Sequence, residues 1–150
     1  MKSLLIAVLT LSIMPISLFA NASLTGAYAL YEFKSLNTTG TKRVELVSFN
    51  NQTNRFTQVT TTILSTGEID RIEEKIPADD INTQQENEII LALCESELGG
   101  TKTSITVEAG TFESCALKDD ESTFYFANVP FGYIKLESQI QTIELKAFSF

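Results

Sequence analysis

The chain reads as a mainly β protein: eight or nine antiparallel strands, one inserted helix and one disulfide. Three observations carry this reading. From Ala27 onward, short runs rich in β-branched and aromatic residues alternate with clusters of Gly, Asn and Asp. One segment, residues 82–98, changes to a helical period. The two cysteines, Cys94 and Cys115, flank a glycine pair and a hairpin pattern.

The first residues, MKSLLIAVLTLSIMPISLFANAS, hold one Lys, an apolar run from Leu4 to Ala20, and small residues at Ala20-Asn21-Ala22 where a signal peptidase cuts. Residues 1–22 are therefore expected to be a secretory signal peptide. A retained anchor is the competing reading, disfavoured by Pro15 within the run. No second hydrophobic span follows it, and no cysteine follows the run as a lipoprotein would need. Cleavage after Ala22 leaves 128 of the 150 residues, 23–150, as one domain in the periplasm or secreted medium. A chain of that size buries roughly two-thirds of its unfolded surface.

Removal of Lys2 leaves ten basic residues against 19 acidic ones, a net charge of −9 where the whole chain carries −8. Such a balance opposes nucleic acid and anionic lipid as partners and suits a basic protein. Because the acids are spread along the chain, solubility explains them equally well. In an oxidising compartment, Cys94 and Cys115 are most simply a disulfide. Two thiolates with no histidine cannot complete a tetrahedral zinc shell alone, so no metal site is expected. Without histidine the usual Ser-His and Cys-His pairings are also missing; no catalytic residue, cofactor or enzyme activity is expected.

The strands follow in order. AYALYEFKSL, TKRVELVSF, RFTQVTTTIL and EIDRIEEKI form a four-strand meander, with turns around Gly40, Asn50 to Asn54, and Gly67. Pro77-Ala78-Asp79-Asp80 ends it. In NTQQENEIILALCESEL, Thr83 and Glu86 have capping-box spacing; Ile89, Ile90, Leu93 and Cys94 make one apolar stripe, and Gly99-Gly100 supply a stop. The alternative is that IILALC is a strand. Strand patterns resume in TKTSITV, FESCALK, STFYFA, YIKLE and TIELKAFSF. The disulfide would then tie the last turns of the helix to the second strand of the hairpin that follows it.

Ala109-Gly110-Thr111-Phe112, then Phe124-Tyr125-Phe126, then Gly132, Ile134 and Lys135 form an ordered set over the last 60 or so residues. This set resembles an uncharacterised group of bacterial envelope proteins, the TapB-like group, although Glu108 stands where that group often has proline. The resemblance implies a curved antiparallel sheet wrapped around the helix, similar to the half-barrels of LolA-type lipoprotein carriers. It also implies, by analogy of fold alone, an apolar ligand in the concavity.

Within NVPFGYIK, Phe131 and Tyr133 can be read as an apolar lip, or as aromatics capping the core over a turn preset by Pro130 and Gly132. Phe124 and Phe126 can line a cavity, or belong to a strand buried on both faces. Asp79-Asp80 and Asp119-Asp120-Glu121 lack the alternating oxygen pattern of a calcium loop and read as turns. Two functions follow from these readings. The first is an exported binding module for an apolar or lipid-like envelope component, with Phe124, Phe126, Phe131 and Tyr133 as contacts. The second is an acidic interaction protein, an inhibitor or assembly factor, for a basic partner.

Overall fold

A computed structural model describes residues 23–150. The expected signal peptide, residues 1–22, lies outside the described residues. Nine strands are present: β1 (Tyr28–Ser35), β2 (Thr39–Asn50), β3 (Arg55–Leu64), β4 (Ile69–Pro77), β5 (Thr101–Val107), β6 (Gly110–Lys118), β7 (Ser122–Ala127), β8 (Tyr133–Ser138) and β9 (Gln141–Ser149). A 3₁₀ turn, Ala78–Asp80, and helix α1, Gln84–Ala92, separate β4 from β5. All strands join one open antiparallel sheet in the order β4-β3-β2-β1-β9-β8-β7-β6-β5. Two meanders thus meet where β1 pairs with β9, with Tyr31 opposite Leu145 and Ala29 opposite Phe148.

Local chemistry explains the turns. The Asn50 carboxamide accepts from the Gln52 and Thr53 amides at 2.9 and 3.1 Å, and Asn54 adopts a φ of 51°. The Asp119 carboxylate closes the β6–β7 turn by accepting from the Glu121 and Ser122 amides at 2.9 and 2.7 Å. These bonds hold its pKa below the ordinary aspartate value.

Because β4 and β5 are opposite edges, the segment between them must cross the sheet's whole width. Its path can be followed by contacts. Ala78 and Ile81 pack beside Phe56 and Leu46, Asn87 of α1 donates to the Val129 carbonyl at 2.9 Å, and the disulfide Cys94–Cys115 anchors the far end to β6. The Thr83 capping box is present with both of its hydrogen bonds. The buried face of the helical segment differs from the expected stripe. Ile89 and Leu93 are exposed, while Asn87 and Cys94 are buried with Ile90 and Leu91 half-buried between them. Positions 87, 90, 91 and 94 are also a helical stripe, turned by the pull of the bridge and of the Val129 carbonyl. Gly100 packs on the bridge: a Cβ there would lie 2.5 Å from the Cys115 sulfur.

Two clusters make the core. One gathers Ala29, Tyr31, Val44, Val107, Ala127, Val129, Ile134 and Leu145 from β1, β2, β5, β7–β9 and the β7–β8 loop. The other gathers Leu24, Ala27, Leu46, Phe56 and Ala78. Burying each large apolar side chain contributes roughly 1.5–3 kcal/mol before entropy is subtracted. At the Val107–Gly110 hairpin tip, the Ala109 amide bonds the Leu145 carbonyl at 3.3 Å, so β5 is drawn toward β9.

Candidate functional site

The β7–β8 loop, residues 128–132, is a turn inside a turn. Gly132 N–H bonds the Val129 carbonyl at 3.0 Å, and Ala127 N–H bonds the Gly132 carbonyl at 2.7 Å. Pro130 occupies the second position and Phe131 the third, where it takes a φ of 64°. A bulky residue in the left-handed region costs of order 1 kcal/mol and persists only where packing over-determines it. Here the Phe131 ring supplies that packing, because it touches both core clusters. The adjacent Gly132 has a φ of 79° and lies directly beneath the Phe126 ring, where a Cβ would overlap it.

Tyr133 is stacked on Tyr31, ring centroids 4.5 Å apart and 7° from parallel. The Tyr31 hydroxyl donates to the Tyr133 carbonyl at 3.2 Å. Burial, reinforced by Tyr133, pushes the Tyr31 hydroxyl well above its ordinary pKa of 10.0; burial raises Tyr133 as well. Phe124 stands at the surface, 43 % exposed, paired across the strands with Leu117 and Leu136. The four aromatic candidates therefore separate. Phe131 and Tyr133 pack against the core, Phe126 shields a glycine, and Phe124 alone is exposed. Two clefts of about 620 and 610 Å³ are lined by other residues, around Asp119–Ser122 with Ser138–Ile140, and around Ser48–Asn51 with Arg55 and Lys75. Among the described residues no group of three or more His, Cys, Asp or Glu side chains could hold a metal ion. No helix among them is long and apolar enough to cross a membrane.

The surface that sequence reasoning missed is the β4 edge. Every residue from Ile69 to Lys75 is exposed, including Ile69 at 64 % and Ile72 at 48 %. Ile63 of β3, directly opposite Ile69, is 44 % exposed. The backbone direction follows from two bonds: Leu64 N–H to the Glu68 carbonyl and Ala78 N–H to the Asn54 carbonyl, at 2.9 and 3.0 Å. Pairing runs without a bulge between them, so even-numbered residues of β4 face β3. Ile69, Arg71, Glu73 and Lys75 consequently turn N–H and C=O outward. The outward Lys75 carbonyl is taken by the Arg55 guanidinium at 3.0 Å, and Pro77, the next outward position, has no N–H to offer. The sequence signal was Pro77 closing a charged strand, a combination characteristic of sheet edges.

No family profile matches the chain. No curated protein matches it either. Among solved structures it is similar to a crystal structure of MucB in complex with MucA(peri), with a TM-score of 0.49 and 7 % identity over 87 % of this chain and 51 % of that one. The complex structure of Pseudomonas aeruginosa MucA/MucB gives a TM-score of 0.49 and 7 % identity over 88 % and 54 %. A crystal structure of MucB gives 0.45 and 9 % over 88 % and 56 %. The chain thus spans about half the length of the chains it resembles, and at these scores the similarity concerns chain path, not what is bound.

Proposed function

We propose that this chain is an exported, non-enzymatic binding module of the bacterial envelope whose occupant is a protein partner. One observation carries the reading: three exposed isoleucines, Ile63, Ile69 and Ile72, lie together on the β3–β4 wing beside an open strand edge, while two of the four aromatic candidates, Phe131 and Tyr133, pack against the core. Exposed apolar residues grouped on one region mark interaction surfaces more often than isolated ones do. The strong negative charge adds long-range attraction for a basic protein. A second reading, an apolar or lipid-like ligand, is favoured by Phe131: a strained residue at the seam of both clusters is where an opening would form.

Photo-crosslinking in the host from Leu36, Ile72, Phe124 and Ile140, each exposed, tests the two together with native mass spectrometry of detergent-free protein. A discrete, salt-sensitive protein adduct supports the first reading. A copurifying lipid with no protein adduct overturns it in favour of the second.

A further inference from the structure

A binding module for a protein leaves the form of that partner open. Resting on that reading, we infer that the β4 edge receives an extended segment of the partner as a tenth strand, and that this segment alternates basic and apolar residues. Strand addition needs outward backbone groups, and those of Ile69, Arg71 and Glu73 have no hydrogen-bond partner among the described residues. Specificity comes from the side chains. On the face shared with buried Phe56, β4 carries Asp70, Ile72, Glu74 and Ile76 in alternation, an acid and an isoleucine repeated twice. Neither Asp70 nor Glu74 has an ion-pair partner among the described residues. Their β3 neighbours on that face, Thr62 and Gln58, are neutral. An added strand satisfies the face when Lys or Arg lies opposite Asp70 and Glu74, and an apolar side chain opposite Ile72 and Ile76.

A second copy of the chain does not meet this requirement. Two-fold antiparallel pairing of β4 centred on Ile72 sets Asp70 against the Glu74 of the other copy on the face shared with Phe56, although it sets Arg71 against Glu73 on the opposite face; centring on Arg71 or Glu73 sets like charge against itself. The acidic repeat thus acts against self-pairing and for a basic guest. The other edge is less open: the Lys102 amide of β5 already faces the Glu95 carboxylate at 3.5 Å.

The test uses the protein purified from a bacterial periplasm, titrated with a short synthetic peptide alternating lysine and valine. Amide shifts are read by NMR, with a scrambled peptide of equal charge as control. Binding should perturb Ile69, Arg71 and Glu73 first and weaken steeply with salt. Glu73→Pro removes one outward N–H while leaving the β3–β4 ladder intact, and should weaken binding at least ten-fold with an unchanged melting point. The charge reversal Asp70→Lys with Glu74→Lys should weaken the lysine peptide similarly and admit a glutamate–valine peptide. Equal binding of the scrambled peptide, shifts mapping to β5 or to Asp119–Glu121, or a β4-linked dimer would each overturn the inference. If these tests fail while crosslinking finds a protein at Leu36, Phe124 or Ile140, the edge inference falls and the binding-module reading stands. If a lipid and no protein is found, both fall.

Discussion

The two edges of the sheet are built from similar material and end differently. TKTSITV of β5 and IDRIEEKIP of β4 are both short, polar, alternating strands. Yet β5 is held by its surroundings. Glu95 sits over the Lys102 amide, Val107 is buried against Leu145, and the disulfide ties the neighbouring β6 to the segment after α1. At β4 the strand is exposed from Ile69 to Lys75, and among the described residues only Arg55 and Pro77 blunt one end. The difference teaches that similar strand composition leaves an edge covered or open according to what crosses to it, with charge and proline on the strand itself as the remaining protection. The covered half anchors the fold, and the bare half is the one proposed to receive a partner.

Breaking the covered half should give the largest effect. Replacing Cys94 or Cys115 with Ser removes a cross-link between residues 21 positions apart. The expected loss is about 3 kcal/mol. That corresponds to a fall of roughly 10 °C in the melting midpoint at this chain length. Hydrogen exchange should speed up in β5 and β6 and stay unchanged in β4; an equal acceleration in β4 would invalidate the comparison.

Gly132→Ala strikes the same half from within. The new Cβ meets the Phe126 ring on a backbone with φ near 79°. We expect a loss of about 2 kcal/mol in chemical denaturation, from steric overlap together with backbone strain. A variant as stable as the parent would show that the Phe126 ring moves aside freely.

A smaller effect should appear with pH. The buried Tyr31 hydroxyl has its pKa raised above 10.0, first by burial and then by Tyr133. A raised folded-state pKa gives stability that is complete below pH 10 and is lost as pH climbs above it. The Glu137 carboxylate, lowered from 4.5 chiefly by its hydrogen bond from Lys135, works in the opposite direction. Its contribution is present above 4.5 and lost as pH falls below that value. With no histidine in the chain, thermal stability should be nearly flat from about pH 6 to 9. Tyr31→Phe should remove part of the alkaline loss and forfeit about 1 kcal/mol at neutral pH, through the hydrogen bond to the Tyr133 carbonyl.

The smallest effect belongs to the bare half. Ile69→Thr and Ile72→Thr replace exposed side chains with one that also favours strands, and should change stability by no more than about 0.5 kcal/mol. They should nevertheless reduce crosslinking to the partner. A large stability loss from either would mean that the wing is packed in solution.

Much of the fold was legible from local chemistry. Thr83 and Glu86 announced the helix start, Asn50, Gly67 and Asp119 the turns, and Cys94 with Cys115 the bridge. The helix face was not legible. Ile89, Ile90, Leu93 and Cys94 fit the helical period as well as Asn87, Ile90, Leu91 and Cys94 do, and the second set has a polar residue at its head. The buried Asn87 is held there by its Nδ2, which donates to the Val129 carbonyl 42 positions away, while its Oδ1 has no hydrogen-bond partner among the described residues. The aromatic candidates were ambiguous for a similar reason. Alternation places Phe124 and Phe126 together, but it cannot say that one would stay in water while the other covers Gly132.

The amino-acid order by itself determined which segments are strands, how the turns at Asn50, Gly67 and Asp119 close, how the helix is capped and which sulfurs can join. Each of these is decided by residues within a few positions of one another, or by the only two groups of their kind. Gly40, expected at a turn, instead lies within β2 opposite Phe33 and Leu64. Tertiary structure alone decided that the first and last strands meet at the centre of the sheet, so that β4 and β5 become its edges. It also decided which edge receives cover. The first depends on pairing between segments more than a hundred residues apart, and the second on contacts of the crossing segment and of β9 with β5 and β6, for neither of which the local pattern of a strand carries information.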